Sequence, residues 1–213
     1  KPAITTLEQL ADVRRAVKSK SMVSEEVALN HALQAHDIDV LETDLGEFIV
    51  QLSDETPSHI VTPVIHKSKE TIRDLFVREL DMPPTDDAEA MTQFARGHLR
   101  RAFLEADMGI SGGNFIIAET GALCLVTNEG NGRMVTALPR VHVALVGIEK
   151  VIATVEDYAT LTQILPRSST GQTMTVYTQM IHGPRGADDD GPEHVYVILV
   201  DNGRSAIYAT AYA

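Results

Sequence analysis

The stretch NFIIAETGALCLVT, Asn114–Thr127, decides how this chain is read. Two apolar runs, Phe115–Ala118 and Ala122–Thr127, have the Ile, Leu and Val content of strands, and Thr120-Gly121 between them supplies a turn. Upstream lies the clearest helix. Asp86, Asp87 and Glu89 load its first turn, and Met91, Phe94, Ala95, Leu99, Ala102 and Phe103 form an apolar stripe that ends near Met108-Gly109. Downstream, Val141–Val146, Met174–Ile181 and His194–Val200 read as strands. A helix near Val155–Leu165 separates the first of these from the rest, with Thr154 and Asp157 as a capping pair and Pro166 just past its end.

The first third alternates in the same manner. Residues 22–35, MVSEEVALNHALQA, have near-helical apolar spacing behind a capping Ser21. Short apolar runs follow at Ile38–Leu41 and Phe48–Leu52, and His59–Ile65 reads as a strand that Pro63 pushes towards an edge. Ser68 caps a helix running to about Leu80. Helices and strands in alternation, then mostly strands, predict an α/β domain with a mixed sheet flanked by helices.

Composition narrows the function. The chain has 213 residues, 44% hydrophobic and 23% charged, which suits one globular domain. Eighteen Lys and Arg against 30 Asp and Glu leave a charge of −12, and no basic surplus exists to neutralise nucleic acid or an anionic membrane. No apolar run nears the roughly 20 residues of a membrane span, and Lys1-Pro2-Ala3 opens no signal peptide. The default reading is a cytoplasmic protein. Both ends look cut, as in a piece of a longer chain. Cys124 is the single cysteine, so neither an internal disulfide nor a metal or iron–sulfur cage can be built from this sequence alone.

Four segments could carry chemistry, each with a plainer reading beside it. Lys18-Ser19-Lys20-Ser21 brings two ammonium groups to a helix start, a place for an anion or simply a solvated entry turn. Ile110–Asn114, ISGGN, lets a ligand approach the backbone, although a helix end and a turn explain both glycines. Glu119, with Thr120 and Gly121, interrupts an apolar run; it is either a buried acid–base group or an exposed turn residue. Asn128–Arg133, NEGNGR, offers an N–H nest with a cationic clamp, or else a hairpin loop. His142, in an apolar strand, reads as a satisfied core histidine, Cys124 as a buried hydrophobe and Asp188–Gly191 as an exposed hairpin tip.

Taken in order, KSKSM at Lys18–Met22, ETDLGE at Glu42–Glu47, PSHI at Pro57–Ile60, IHKS at Ile65–Ser68, the long stretch Asp107–Arg133 and LPRVHVALVGIEK at Leu138–Lys150 resemble the LUD domain of lactate-utilisation proteins. KSKSM, ETDLGE and TNEGNGR are similar to the B-type branch of that family rather than to its shorter C-type. The resemblance covers nearly the whole chain, residues 1–213, as a single LUD domain. It implies a fold related to the NagB/RpiA/CoA-transferase group. It also implies a part in a multi-subunit system oxidising L-lactate to pyruvate, with other lactate-utilisation subunits as partners. B-type proteins continue into a ferredoxin-like region whose cysteines bind [4Fe–4S] clusters, so the stretch alone is expected to be inactive in lactate oxidation. Within this frame the expected pocket comprises Lys18, Ser19, Lys20, Glu119, Thr120, Asn128, Asn131 and Arg133, with Glu119 accepting a proton or orienting a neighbour and Lys20 or Arg133 clamping a carboxylate or phosphate. Glu47, His66 and Lys67 stand behind these, and no metal ligands are assigned. A docking or ligand-sensing domain, or a stand-alone enzyme handling acyl groups or small anions, is the competing reading.

Overall fold

The architecture was taken from a computed structural model, which describes residues 12–55 and 63–210. Its centre is a parallel sheet of five strands: β1 (Arg15–Lys18), β2 (Asp39–Glu42), β3 (Met108–Ser111), β6 (Val141–Gly147) and β9 (His194–Val200), in the order β2-β1-β3-β6-β9. Every residue of β3 and β6 is buried, the pattern of strands covered on both faces. Register is fixed by pairs such as Val17 with Gly109 and Gly109 with His142.

Two helical layers cover the sheet. On one face, α1 (Met22–Glu26) and α2 (Leu29–Gln34) bring Val23, Leu29 and Leu33 onto Ala16, Val40, Ile110 and Val143. Ala28, in the left-handed region at φ 50°, breaks the single helix expected over 22–35 into these two, and the turn it makes sends Leu29 and Leu33 into the core. On the other face lie α3 (Leu45–Leu52), α4 (Lys69–Leu80), α5 (Ala88–Glu105) and α6 (Asn131–Ala137), packing Phe48, Phe76, Leu99, Phe103 and Val135 around Val17. Their starts are chemically defined: Asp44 accepts from the Gly46 and Glu47 N–H groups, Ser68 from Thr71 and Asp87 from Glu89.

A second sheet of four strands, in the order β7-β4-β5-β8, is made of β4 (Phe115–Ile117), β5 (Ala122–Thr127), β7 (Val151–Ile152) and β8 (Tyr177–Ile181). It is mixed, since β4 runs parallel to β7 and antiparallel to β5. One of its faces rests on α7 (Val155–Thr170) through Ile117, Cys124 and Tyr158; the other meets Ala144 and Val146 of β6. Alternation along β6 therefore joins the two sheets, with Val143 and Leu145 facing the α1–α2 layer and Ala144 and Val146 the second sheet. A short α8 (Arg204–Tyr208) follows β9.

The expected α/β class is the observed one, but several elements differ. The apolar run Phe48–Leu52, which the sequence pattern assigns to no element, belongs to α3, which the Asp44 cap starts at Leu45. The long helix stops at Glu105, and Met108–Ser111, expected as helix end and turn, is the middle strand β3. Asn131, expected in a loop, opens α6. Pro166 lies inside α7 rather than beyond it, at the cost of one helical hydrogen bond; Gly171, at φ 75°, ends the helix. Of the expected strand 59–65, residues 63–66 form a turn and the remainder, with His59 and Pro57–Ile60, falls outside the described residues.

Candidate functional site

In an open α/β sheet, ligands collect outside the carboxyl ends of the strands where the strand order reverses. Here β2 lies to one side of β1 and β3 to the other, so the reversal falls between β1 and β3. A cleft of about 640 Å³ opens there. Its floor is Ser19-Lys20-Ser21, leaving β1, and Gly112-Gly113, leaving β3. The two segments are tied by the Ser19 N–H donating to the Ile110 carbonyl at 2.9 Å. Asp44 comes from the end of β2, Glu149 and Lys150 from beyond β6, and Thr127 and Glu129 from the end of β5.

Each wall is locked by its neighbours. Asn114 holds the glycine segment to β5, donating from its N–H to the Cys124 carbonyl and accepting from the Val126 N–H at 2.8 Å through its side chain. Thr43 binds the Lys18 carbonyl at 2.9 Å by its N–H and by its hydroxyl. The Asn131 amide reaches the Thr43 hydroxyl at 3.5 Å, linking α6 to the end of β2. Gly109 lets α6 approach: a Cβ there would collide with the Val135 carbonyl. Beneath the floor, the Ser111 hydroxyl is 2.8 Å from His142 Nε2, both side chains fully buried.

Charge inside the cleft is mixed. The Lys20 ammonium is half-exposed, 3.8 Å from the buried Glu47 carboxylate. Enclosure by the cleft walls raises the Glu129 carboxyl above its ordinary range even though the residue keeps contact with solvent; the nearby Asp44 charge adds to this and Lys20 opposes it. At the rim, Arg204 bonds the Glu26 carboxylate at 2.9 Å and Glu149 at 2.6 Å, which lowers the Glu26 carboxyl and raises the guanidinium. The site thus combines an ammonium, a carboxyl of raised proton affinity, amide groups and glycine backbone.

Of the expected pocket residues, the structure brings Ser19, Lys20 and Asn131 together in this cleft. Lys18 points elsewhere: its ammonium is buried 2.7 Å from Glu42, which also accepts from the Asn30 amide at 2.8 Å. Glu119 and Thr120 sit on the exposed β4–β5 turn, where Glu119 accepts from the Val155 N–H at 3.0 Å, at the start of α7, and Thr120 accepts from Ala122. Their position follows from the hairpin, which carries its turn away from the parallel sheet's edge. Asn128 bonds Gln172 at 2.7 Å, and the Arg133 guanidinium lies 5.3 Å over the Tyr177 ring, because α6 starts between them and turns Asn131 and Gly132 inward. Glu47 is buried in α3 beside Lys20. His66 and Lys67 both bond Glu55, at 2.7 and 2.6 Å, before α4. Asp44, Glu149 and Arg204 were not singled out from the sequence, and Glu129 entered only as part of the NEGNGR segment, Asn128–Arg133; the helix-capping position of Asp44 behind β2 was a local signal available for that residue.

A [4Fe–4S] cluster takes four thiolates in its usual form. Cys124 is fully buried in β5, its thiol pushed up by burial, and the chain has no second cysteine. These residues do not fit such a group, and a cluster in an intact protein would need other ligands.

Fold and cleft define an open α/β domain with a cleft at the carboxyl edge of a parallel sheet. The chain belongs to the LUD domain family, whose model matches residues 5–200. It is 48% identical over 206 residues to Lactate utilization protein B of Bacillus pumilus, covering 96% of this chain and 43% of that one. It is 47% identical to Lactate utilization protein B of Bacillus subtilis over 201 residues, 93% of this chain and 42% of the relative. A third relative, from Escherichia coli and called "Uncharacterized electron transport protein YkgF", is 46% identical over 98% of this chain and 44% of its own. The chain therefore spans less than half the length of these relatives. Among solved structures, a DUF162 family protein from Deinococcus radiodurans aligns over 92% of this chain and 93% of its own at 15% identity, with a TM-score of 0.40. Among the described residues, no helix is long and apolar enough to cross a membrane.

Proposed function

We propose that this chain is the LUD portion of a B-type subunit in a lactate-utilisation system, and that its cleft binds a small carboxylate or phosphate-bearing ligand. One observation carries the reading: the cleft opens at the β1–β3 switch point, in a chain almost half identical to proteins named Lactate utilization protein B. Lys20 supplies the positive charge for a carboxylate, Asn131 and the Ser19 hydroxyl its polar contacts, and Glu129 a carboxyl whose proton affinity is raised by enclosure. Oxidation of L-lactate to pyruvate removes two electrons and two protons. In this reading electron transfer would be supplied by iron–sulfur clusters held by cysteines elsewhere in the intact subunit, since Cys124 alone cannot hold one, and the partners would be other lactate-utilisation subunits in the cytoplasm. Nothing in the cleft supplies that electron path.

The test is made on the intact protein purified without oxygen. Stoichiometric iron and acid-labile sulfide, with lactate-dependent reduction of an artificial electron acceptor in the reconstituted complex, support the proposal. An intact, folded protein free of iron and sulfide contradicts its electron-transfer half. The ligand half is read separately. A ligand at about 100 times its Kd stabilises a folded domain by about 2.7 kcal/mol, whereas a pure docking domain does not respond to lactate, pyruvate or phosphate.

A further inference from the structure

Ser111 and His142 form a buried hydrogen-bond relay directly under the cleft. The Ser111 Oγ is 2.8 Å from His142 Nε2 and 2.9 Å from the carbonyl oxygen of Gly112. A carbonyl only accepts, so the hydroxyl hydrogen goes to Gly112 and Ser111 accepts from Nε2–H of His142. The histidine is thereby fixed as one neutral tautomer, and its Nδ1 is left buried without a hydrogen-bond partner among the described residues. Burial lowers the imidazole to about 4, so it stays neutral through the physiological range. An apolar pair could fill this space in the middle of the sheet without burying a half-satisfied imidazole.

What the relay achieves is the orientation of one peptide. In a trans peptide the C=O and N–H point in opposite directions. With the Gly112 carbonyl drawn down to Ser111, the Gly113 N–H is turned the other way. Both glycines line the cleft, and neither N–H donates to a protein acceptor among the described residues. The segment has little room to move: a Cβ on Gly113 would stand 2.7 Å from Leu123 and 2.8 Å from Val146, and one on Gly112 3.1 Å from the Ser21 hydroxyl.

We propose that His142 and Ser111 are positioning residues for the cleft, holding the Gly112–Gly113 peptide so that the Gly113 N–H meets an oxygen of a bound carboxylate or phosphate. The inference rests on the cleft being a small-anion site, and it adds the residues that aim the backbone donor. Lys20 provides attraction, and the relay provides direction.

The experiment is calorimetric titration of the intact protein with L-lactate and with inorganic phosphate, joined to hydrogen exchange over residues 112–114. Ser111→Ala and His142→Leu each weaken binding of the accepted probe about ten-fold or more, as expected for loss of a well-aimed bond to an anion. Ser111→Thr and His142→Gln, which return a hydroxyl and a donor, recover most of it. In the unaltered protein the probe slows exchange at residues 112–114. If Ser111→Ala binds as the parent does while Lys20→Met does not, the relay proposal is overturned and the cleft stands. If the parent protein binds neither probe, both fail. Should the variants not fold, exchange in the parent decides: binding without protection of residues 112–114 overturns the relay.

Discussion

The Lys18 ammonium and the Glu42 carboxylate meet at 2.7 Å with side chains 1% and 7% exposed, at paired positions on β1 and β2. Two charges so placed are taken from water together, and their pairing sets the register of the two strands as their carboxyl ends enter the cleft. Removing one partner strands the other in the interior. Lys18→Met is therefore expected to cost about 3–5 kcal/mol, and the double change with Glu42→Met to return much of it. Urea unfolding of both singles and the double reads this coupling; additive losses would show that the pair is not a unit.

Lys20, two residues on, faces the cleft and has the opposite role. Lys20→Met takes one ammonium away from the buried Glu47 carboxylate, so it is expected to lower stability by up to about 1 kcal/mol, and to weaken lactate or phosphate binding by about 1.5–3 kcal/mol, the range for a hydrogen bond to a charged group. The same change removes the charge that opposes the rise of the Glu129 carboxyl, so the Glu129 titration should move further upward. Carboxyl infrared spectra followed against pH would show this, and a downward movement would contradict the arrangement.

Much of the scaffold was legible in the residues. The strand β9, the Ser68 and Asp87 helix starts and the Thr154–Asp157 capping box all follow from local chemistry, since caps and apolar periods act within a few residues. The central strands β1 and β3 were not. Arg15 and Lys18 break the apolar pattern of one, and the other is only Met108–Ser111, short and glycine-containing, adjoining a long helix. The site suffered for the same reason. Lys18 and Lys20 look alike in sequence, but Lys18 is still inside β1, where the covered sheet buries it against Glu42 of β2, and the chain leaving β1 delivers Lys20 to the cleft. Glu129 and Asp44 are 85 positions apart, and only the sheet order makes them neighbours.

His142 gives the fold a dependence on pH. Burial takes its value from an ordinary 6.5 down to about 4. Between these values the unfolded chain binds a proton that the folded chain refuses, so stability falls as pH falls through that window. The full contribution is about 3 kcal/mol. His142→Gln should flatten that part of the profile, measured as urea midpoints between pH 7 and pH 4; an unchanged slope would place the titration elsewhere.

Glu119 lies on the exposed turn and accepts from the first N–H of α7. Glu119→Gln keeps an acceptor and loses a charge near a helix start, worth about 0.3–1 kcal/mol. Lactate turnover by the complex is expected to change by no more than about two-fold. A turnover loss of about ten-fold at normal stability would return Glu119 to the chemistry.

A ligand seated at the β1–β3 switch point would be seen in a crystal structure of the intact protein grown with L-lactate or pyruvate. The ligand is expected between Lys20, Asn131 and the Gly112–Gly113 backbone, with a carboxylate oxygen accepting from the Gly113 N–H. Ligand bound instead beside Glu119 and Thr120, with this cleft holding solvent alone, would contradict that placement.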